Sequence, residues 1–139
     1  MTGHRARRQA PCDGTQLTPA GPVQPAPAVL VAAVTAAAEA GPAIAAGADM
    51  IDVTGLGDQA VAAIRARHPG LRLWHGSPAA ADADQAGTQA AVIATAAVLA
   101  WLGTPAIRTR HVLPVRRAID MTCSIAGTRL PALTTRGLA

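Results

Sequence analysis

The 139 residues suffice for one ordinary domain, and half of them are hydrophobic, but only 1 % are aromatic. A core must therefore be assembled from Ala, Val, Leu and Ile around Trp74 and Trp101; small side chains bury little area each, at about 25 cal/mol per Å², so marginal stability is expected. The net charge is +4 and all 12 basic residues are Arg, which excludes any chemistry that needs a lysine from this chain.

Residues 1–28 are rich in Pro, Gly, Thr, Gln and Arg and read as a disordered basic tail. Arg5, Arg7 and Arg8 make it a solvated arm, and without interleaved aromatics it is not expected to bind nucleic acid. It holds no apolar segment before Pro11, so no signal peptide is expected. Cys12 and Cys123 stand too far apart in the sequence for a disulfide framework or a metal-ligand spacing. A cytoplasmic setting and no metal or cofactor are expected.

Residues 29–35 (VLVAAVT) form a β-branched apolar run, the mark of a buried strand. Residues 36–46 favour helix, interrupted at Gly41-Pro42. Residues 49–53 (DMIDV) are a second strand, followed by the turn Thr54-Gly55-Leu56-Gly57, whose two glycines are too few for a dinucleotide site. A helix is predicted from Asp58 to His68, stopped by Pro69-Gly70. Residues 71–75 (LRLWH) alternate as a strand does, ending in His75, which reads as a surface residue. Residues 79–86 are Ala-rich and weakly helical, with Asp82 and Asp84 as solubilising charges. Residues 88–102 form a helix apolar on nearly all sides, either buried or exposed for a partner and too short to span a bilayer.

Residues 103–127 (GTPAIRTRHVLPVRRAIDMTCSIAG) combine a strand over 106–110, a basic turn and an amphipathic helix. Pro114 suits a first helical position. Val115, Ala118, Ile119, Thr122, Ile125 and Ala126 share one stripe, and Gly127 closes the helix as a left-handed cap. Arg108, Arg110 and His111 then face a helix N-terminus, where free N–H groups and the dipole favour an anion. The whole reads as an α/β domain over residues 29–128 with four βα units and a parallel sheet, followed by a C-terminal tail over 129–139.

The strand end Arg108-Thr109-Arg110-His111-Val112 resembles the Arg-x-His-Asp/Glu-Val signature that closes the last strand of dihydropteroate synthases, the pterin-binding barrel enzymes of folate synthesis. The likeness continues through Arg116-Arg117-Ala118-Ile119, Ser124-Ile125-Ala126-Gly127 and the tail Thr135-Arg136-Gly137-Leu138-Ala139. That tail is most like the second, divergent synthase-like paralogue of actinobacteria. Val29 to Thr35 resembles the family's first strand, and Ala45 to Val53 its second, Gly-Ala-Asp-Ile-Ile-Asp-Val. A complete barrel needs about 250 residues, so the likeness implies a partial TIM-barrel-like sheet whose ends are kept and whose middle is excised.

The resemblance implies a phosphate-binding set of Arg108, Arg110 and His111, and Asp52 on the pterin side. Arg108 matches the family's pyrophosphate arginine; Arg110 stands in place of its His, and His111 in place of its acid. Asp52 also reads as a carboxylate capping the turn at Thr54-Gly55. The family's lysine, its Asn-x-Thr-Pro-Asp-Ser-Phe loop, its Glu-Ser-Thr-Arg-Pro segment and the Val-Asp-Thr end of its third strand are all missing. The implied function is a catalytically inactive synthase-like protein that keeps binding of pyrophosphate, pterin pyrophosphate or a pterin. Two alternatives stand beside it: a small interaction protein using the helix over 88–102, and a half-barrel synthase. The latter would be active only as a homodimer or beside a full-length synthase that covers the open sheet edges.

Overall fold

The computed structural model describes residues 27–76 and 80–129. The tail over 1–26 with Cys12, the turn at 77–79 and the C-terminal segment from 130 onward lie outside the described residues. The chain runs β1 (Val29–Ala33), a 3₁₀ turn (Ala37–Glu39), α1 (Ala40–Ala45), β2 (Met50–Asp52), α2 (Asp58–Arg67) and β3 (Arg72–Trp74). It continues with β4 (Ala80–Asp82), a second 3₁₀ turn (Ala83–Ala86), α3 (Gln89–Trp101), β5 (Ala106–Thr109) and α4 (Val112–Ile125). All strand pairs are parallel, in the order β3-β2-β1-β5-β4.

That order is the order of a barrel wall. In a closed βα barrel successive strands are neighbours and the last strand lies against the first. Here β1, β2 and β3 are successive neighbours, as are β4 and β5, and the two groups join where β5 pairs with β1. The helices take one side only. Leu30, Ala32, Ile51 and Ile107 point to the face where Ala40, Ile64, Val92, Ala96, Val115, Ile119 and Cys123 form the main core. The opposite face carries a separate cluster of Val31, Met50 and Ala106, joined by Val29, Trp74 and Ala80, with no helical residue in it. An open doubly wound sheet would place helices on both faces. The molecule is therefore a partial TIM-barrel-like parallel sheet with a helical outer layer and, among the described residues, no helix on the inner face.

The expected four βα units become five strands. The added one is β4, in the stretch expected to be weakly helical. Alanine is a poor strand former in isolation, but Ala80, Ala81 and Asp82 pair in register with Ala106, Ile107 and Arg108, and those ladder bonds override local preference. At the other boundary α4 starts at Val112, so Pro114 is its third residue rather than its first. Its missing N–H falls within the first turn, where no intrahelical partner is required. Gly127 takes φ +74, while the Thr128 N–H reaches the Cys123 carbonyl at 2.9 Å, the expected left-handed close.

The helix α3 divides its surface. Val92, Ala96 and Ala100 are buried against the core, while Val98, Trp101 and Leu102 are exposed. Among the described residues no helix is long and apolar enough to cross a membrane. A further tie fixes α4 against the α1–β2 connection. The Arg116 Nε donates to the Gly47 carbonyl at 3.0 Å, and its Nη2 pairs with Asp49. Asp49 in turn accepts from the Leu30 N–H at 2.8 Å. Gly47 sits at φ +99, and a Cβ there would stand 3.1 Å from the Arg116 Cγ. A side chain at 47 would thus be strained and would push on Arg116.

Two outcomes follow for stability. Ile107→Ala, at a fully buried position, lowers unfolding free energy by about 2–5 kcal/mol in urea titration. Met121→Ala, on the exposed side of α4, changes it by no more than about 0.5 kcal/mol.

Candidate functional site

The side chains that carry chemistry gather at the C-terminal ends of the strands, the end where βα barrels place their sites. Along β5 they alternate: Arg108 falls on the inner face, and Thr109 is fully buried on the helical side. Two separate networks result.

The inner network is a carboxylate–guanidinium–carboxylate triad. The Arg108 Nε donates to Asp52 Oδ2 at 2.6 Å, and its Nη1 donates to Asp82 Oδ2 at 3.1 Å. Asp82 is in register with Arg108 on the adjacent strand. Asp52 lies on β2, so the guanidinium reaches across β1; the β1 residue in register with Asp52 is Ala33, too small to block it. Asp52 Oδ1 is itself occupied by the Thr54 N–H at 2.9 Å and the Thr54 hydroxyl at 2.5 Å. Asp52 therefore both caps the turn at Thr54 and holds Arg108. Burial pushes its carboxyl up, but Thr54 and Arg108 together outweigh this and leave it below the usual carboxylate range. The hydrogen bond to Asp52 raises Arg108 further above its ordinary value.

The outer network centres on Asp84. Its Oδ1 accepts the Thr109 hydroxyl at 2.7 Å, and its Oδ2 accepts both the Arg110 N–H at 2.9 Å and the Arg110 Nε at 3.1 Å. The Thr109 oxygen accepts the His111 N–H at 3.0 Å. Burial pushes the Asp84 carboxyl up, but the bonds from Thr109 and Arg110 prevail and lower it overall.

Arg110 and His111 line a cleft of about 590 Å³ between the end of β1, α1 and the start of α4. Its apolar wall includes Ala32, Val34, Pro42, Ala43, Val112 and Leu113; Glu39 and Gln89 complete it. Glu39 is held by the Thr35 N–H at 2.7 Å and the Thr35 hydroxyl at 3.0 Å, which lower its carboxyl. His111 stands at the N-terminal boundary of α4 without a side-chain capping bond.

The structure thus divides the expected set. It joins Arg110 and His111 at the cleft. It joins Arg108 to Asp52 on the inner face, so the three expected phosphate-binding residues do not converge on one point. Asp82 and Asp84 are not solubilising charges: one holds Arg108 and the other holds Arg110. Sequence reasoning missed their role because the Ala-rich context hid the strand that aims them. Glu39 and Gln89 were missed as well. Asp82 ends β4 and Asp84 follows it, with the same two-residue spacing that separates Arg108 from Arg110. That was the available signal. His75 is exposed, as expected of a surface residue. Among the described residues no group of three or more His, Cys, Asp or Glu is placed to hold a metal. Cys123 is a buried free thiol.

No protein-family model, curated protein or solved structure matches this chain.

Arg108→Ala strands the buried Asp52 carboxylate and lowers stability by about 2–4 kcal/mol in denaturant titration, less than for a fully enclosed pair because Arg108 is one-third exposed. The sign of the acid response follows from the lowered carboxyls. Asp52 and Asp84 contribute stability that is complete well above their ordinary value of 3.8 and lost as pH falls through the lower folded-state values. Thermal midpoints measured from pH 6 downward decline for the wild type. They decline less steeply below about pH 5 for Asp84→Asn, which has no proton to gain there.

Proposed function

We propose that this protein is a shortened, non-catalytic relative of the dihydropteroate synthases that holds a phosphate-bearing ligand, pyrophosphate or a pterin pyrophosphate, in the cleft at the start of α4. The observation that carries the reading is the strand order. The piece resembling the family's last strand pairs directly with the piece resembling its first, as a barrel with its middle removed requires. The cleft supports the ligand class. A guanidinium and an imidazole stand together at the N-terminal turn of a 14-residue helix, where backbone N–H groups and the dipole favour an anion. Its volume lies within the roughly 300–1,000 Å³ of small-molecule sites.

Synthase chemistry is not part of the proposal. Expelling pyrophosphate requires positive charge aimed at the leaving group. Arg108 is engaged by two carboxylates, and the sequence offers no lysine to replace it. The Trp74-His75-Gly76 end of β3 offers no carboxylate where the family's third strand has one.

Thermal unfolding followed by circular dichroism tests the reading. Millimolar pyrophosphate raises the midpoint by mass action on the folded state, and the Arg110→Ala/His111→Ala double variant abolishes the shift. The purified protein shows no turnover of pterin pyrophosphate with p-aminobenzoate. A midpoint insensitive to pyrophosphate and to pterin pyrophosphate sinks the binding proposal, and measurable turnover sinks the non-catalytic one.

A further inference from the structure

We infer that Asp84 is a positioning residue for the cleft: it sets the direction of the Arg110 guanidinium. The inference rests on the reading of the cleft as an anion site. Four observations carry it. One carboxylate, from the turn after β4, receives bonds from two consecutive residues of the β5–α4 connection and reaches the third through Thr109. The Asp84 side chain is 10 % exposed although Arg110 is 67 % exposed, so the fixed partner is the acid and the steered one is the base. Asp84 is itself fixed, because its N–H donates to Asp82 Oδ1 at 3.0 Å and Ala83 beside it is fully buried. The bond to Arg110 uses Nε, whereas a guanidinium has five N–H donors. The Nη1 and Nη2 groups therefore keep their capacity for a fork-like contact with phosphate oxygens.

An exposed arginine loses considerable rotamer freedom when a ligand immobilises it. Asp84 has removed part of that loss before any ligand arrives. The acid also cancels one unit of charge, which acts against anion binding. The two effects have opposite signs, so the direction of the Asp84→Asn response decides between them. If positioning dominates, the neutral isostere binds more weakly; if charge cancellation dominates, it binds more tightly.

The test is a titration of the full chain with pyrophosphate in the wild type, Asp84→Asn, Arg110→Ala and the double variant. Expected are a roughly three- to tenfold weaker affinity in Asp84→Asn and no further loss when it is added to Arg110→Ala, since Asp84 acts through Arg110. Unchanged or tighter binding by Asp84→Asn, with Arg110→Ala still weakened, overturns the positioning role and leaves the ligand reading standing. Additive losses overturn it too, because a general structural defect weakens binding whether or not Arg110 is present. The ligand-free protein gives a second readout. The Arg110 Nε–H and backbone N–H exchange slowly with solvent in the wild type and rapidly in Asp84→Asn. A wild-type titration without heat, together with this exchange difference, defeats the ligand reading while supporting the steering of Arg110. Rapid exchange of the Nε–H in the wild type itself overturns the steering.

Discussion

The salt-linked group of Asp52, Arg108 and Asp82 ties three strands together on a face that no helix of the described residues covers. The inner residues around it are mostly small, with Ala33, Ala80 and Ala106 in the neighbouring register. Apolar packing there consists of one modest cluster around Val31 and Met50. A single guanidinium spanning from β4 across β1 to β2 therefore supplies a cross-link that side-chain bulk does not. Its geometry also determines charge. Two carboxylates against one guanidinium leave the triad itself net negative, although the chain as a whole is basic. Arg110, with its Nε bonded to Asp84, lies on the other side of β5, at the cleft.

The helical face works by different means. Its core is made largely of Leu, Ile, Val and Ala, and α3, with Ala96 and Ala100 buried, packs closely against α4. Close approach gives good packing but little buried area per residue. Polar ties compensate at the periphery, where Arg116 joins α4 to Gly47 and Asp49, and Asp120 meets Arg129. The buried polar side chains among the described residues all find partners. Such satisfaction matters in a molecule of this size, since one stranded buried group costs a sizeable part of a small domain's stability.

The segment Asp82-Ala83-Asp84 links the two faces. Asp82, at the end of β4, faces inward to Arg108, and the chain then turns through a 3₁₀ segment that brings Asp84 to Thr109 and Arg110. One short acidic stretch thus organises the whole C-terminal end of β5. It also explains why three basic residues close together in sequence have different surroundings. Alternation along the strand separates Arg108 from Thr109, and the partners on the adjacent unit hold each in place.

Much of the architecture was legible in the chain itself. The β-branched run at Val29–Ala33, the Pro69-Gly70 stop after α2, the amphipathic stripe of α4 as far as Thr122 and its glycine close depend on local periodicity and backbone preference, which a sequence displays directly; Ile125, also expected on that stripe, is exposed. The resemblance of the last strand gave candidate residues, and Asp52 was already readable as the cap of the Thr54 turn. Three things were decided only by tertiary structure. Ala80–Asp82 became a strand because β5 lay beside it, against the preference of its alanines. Arg108 was drawn from the expected anion site by Asp52, 56 positions away in the sequence and brought near by the pairing of β5 with β1 and β1 with β2. Asp84 became a buried acceptor because the pairing of β4 with β5 places Thr109 and Arg110 against it. Local sequence records what each segment prefers, whereas the partners of a charge depend on which strands become neighbours.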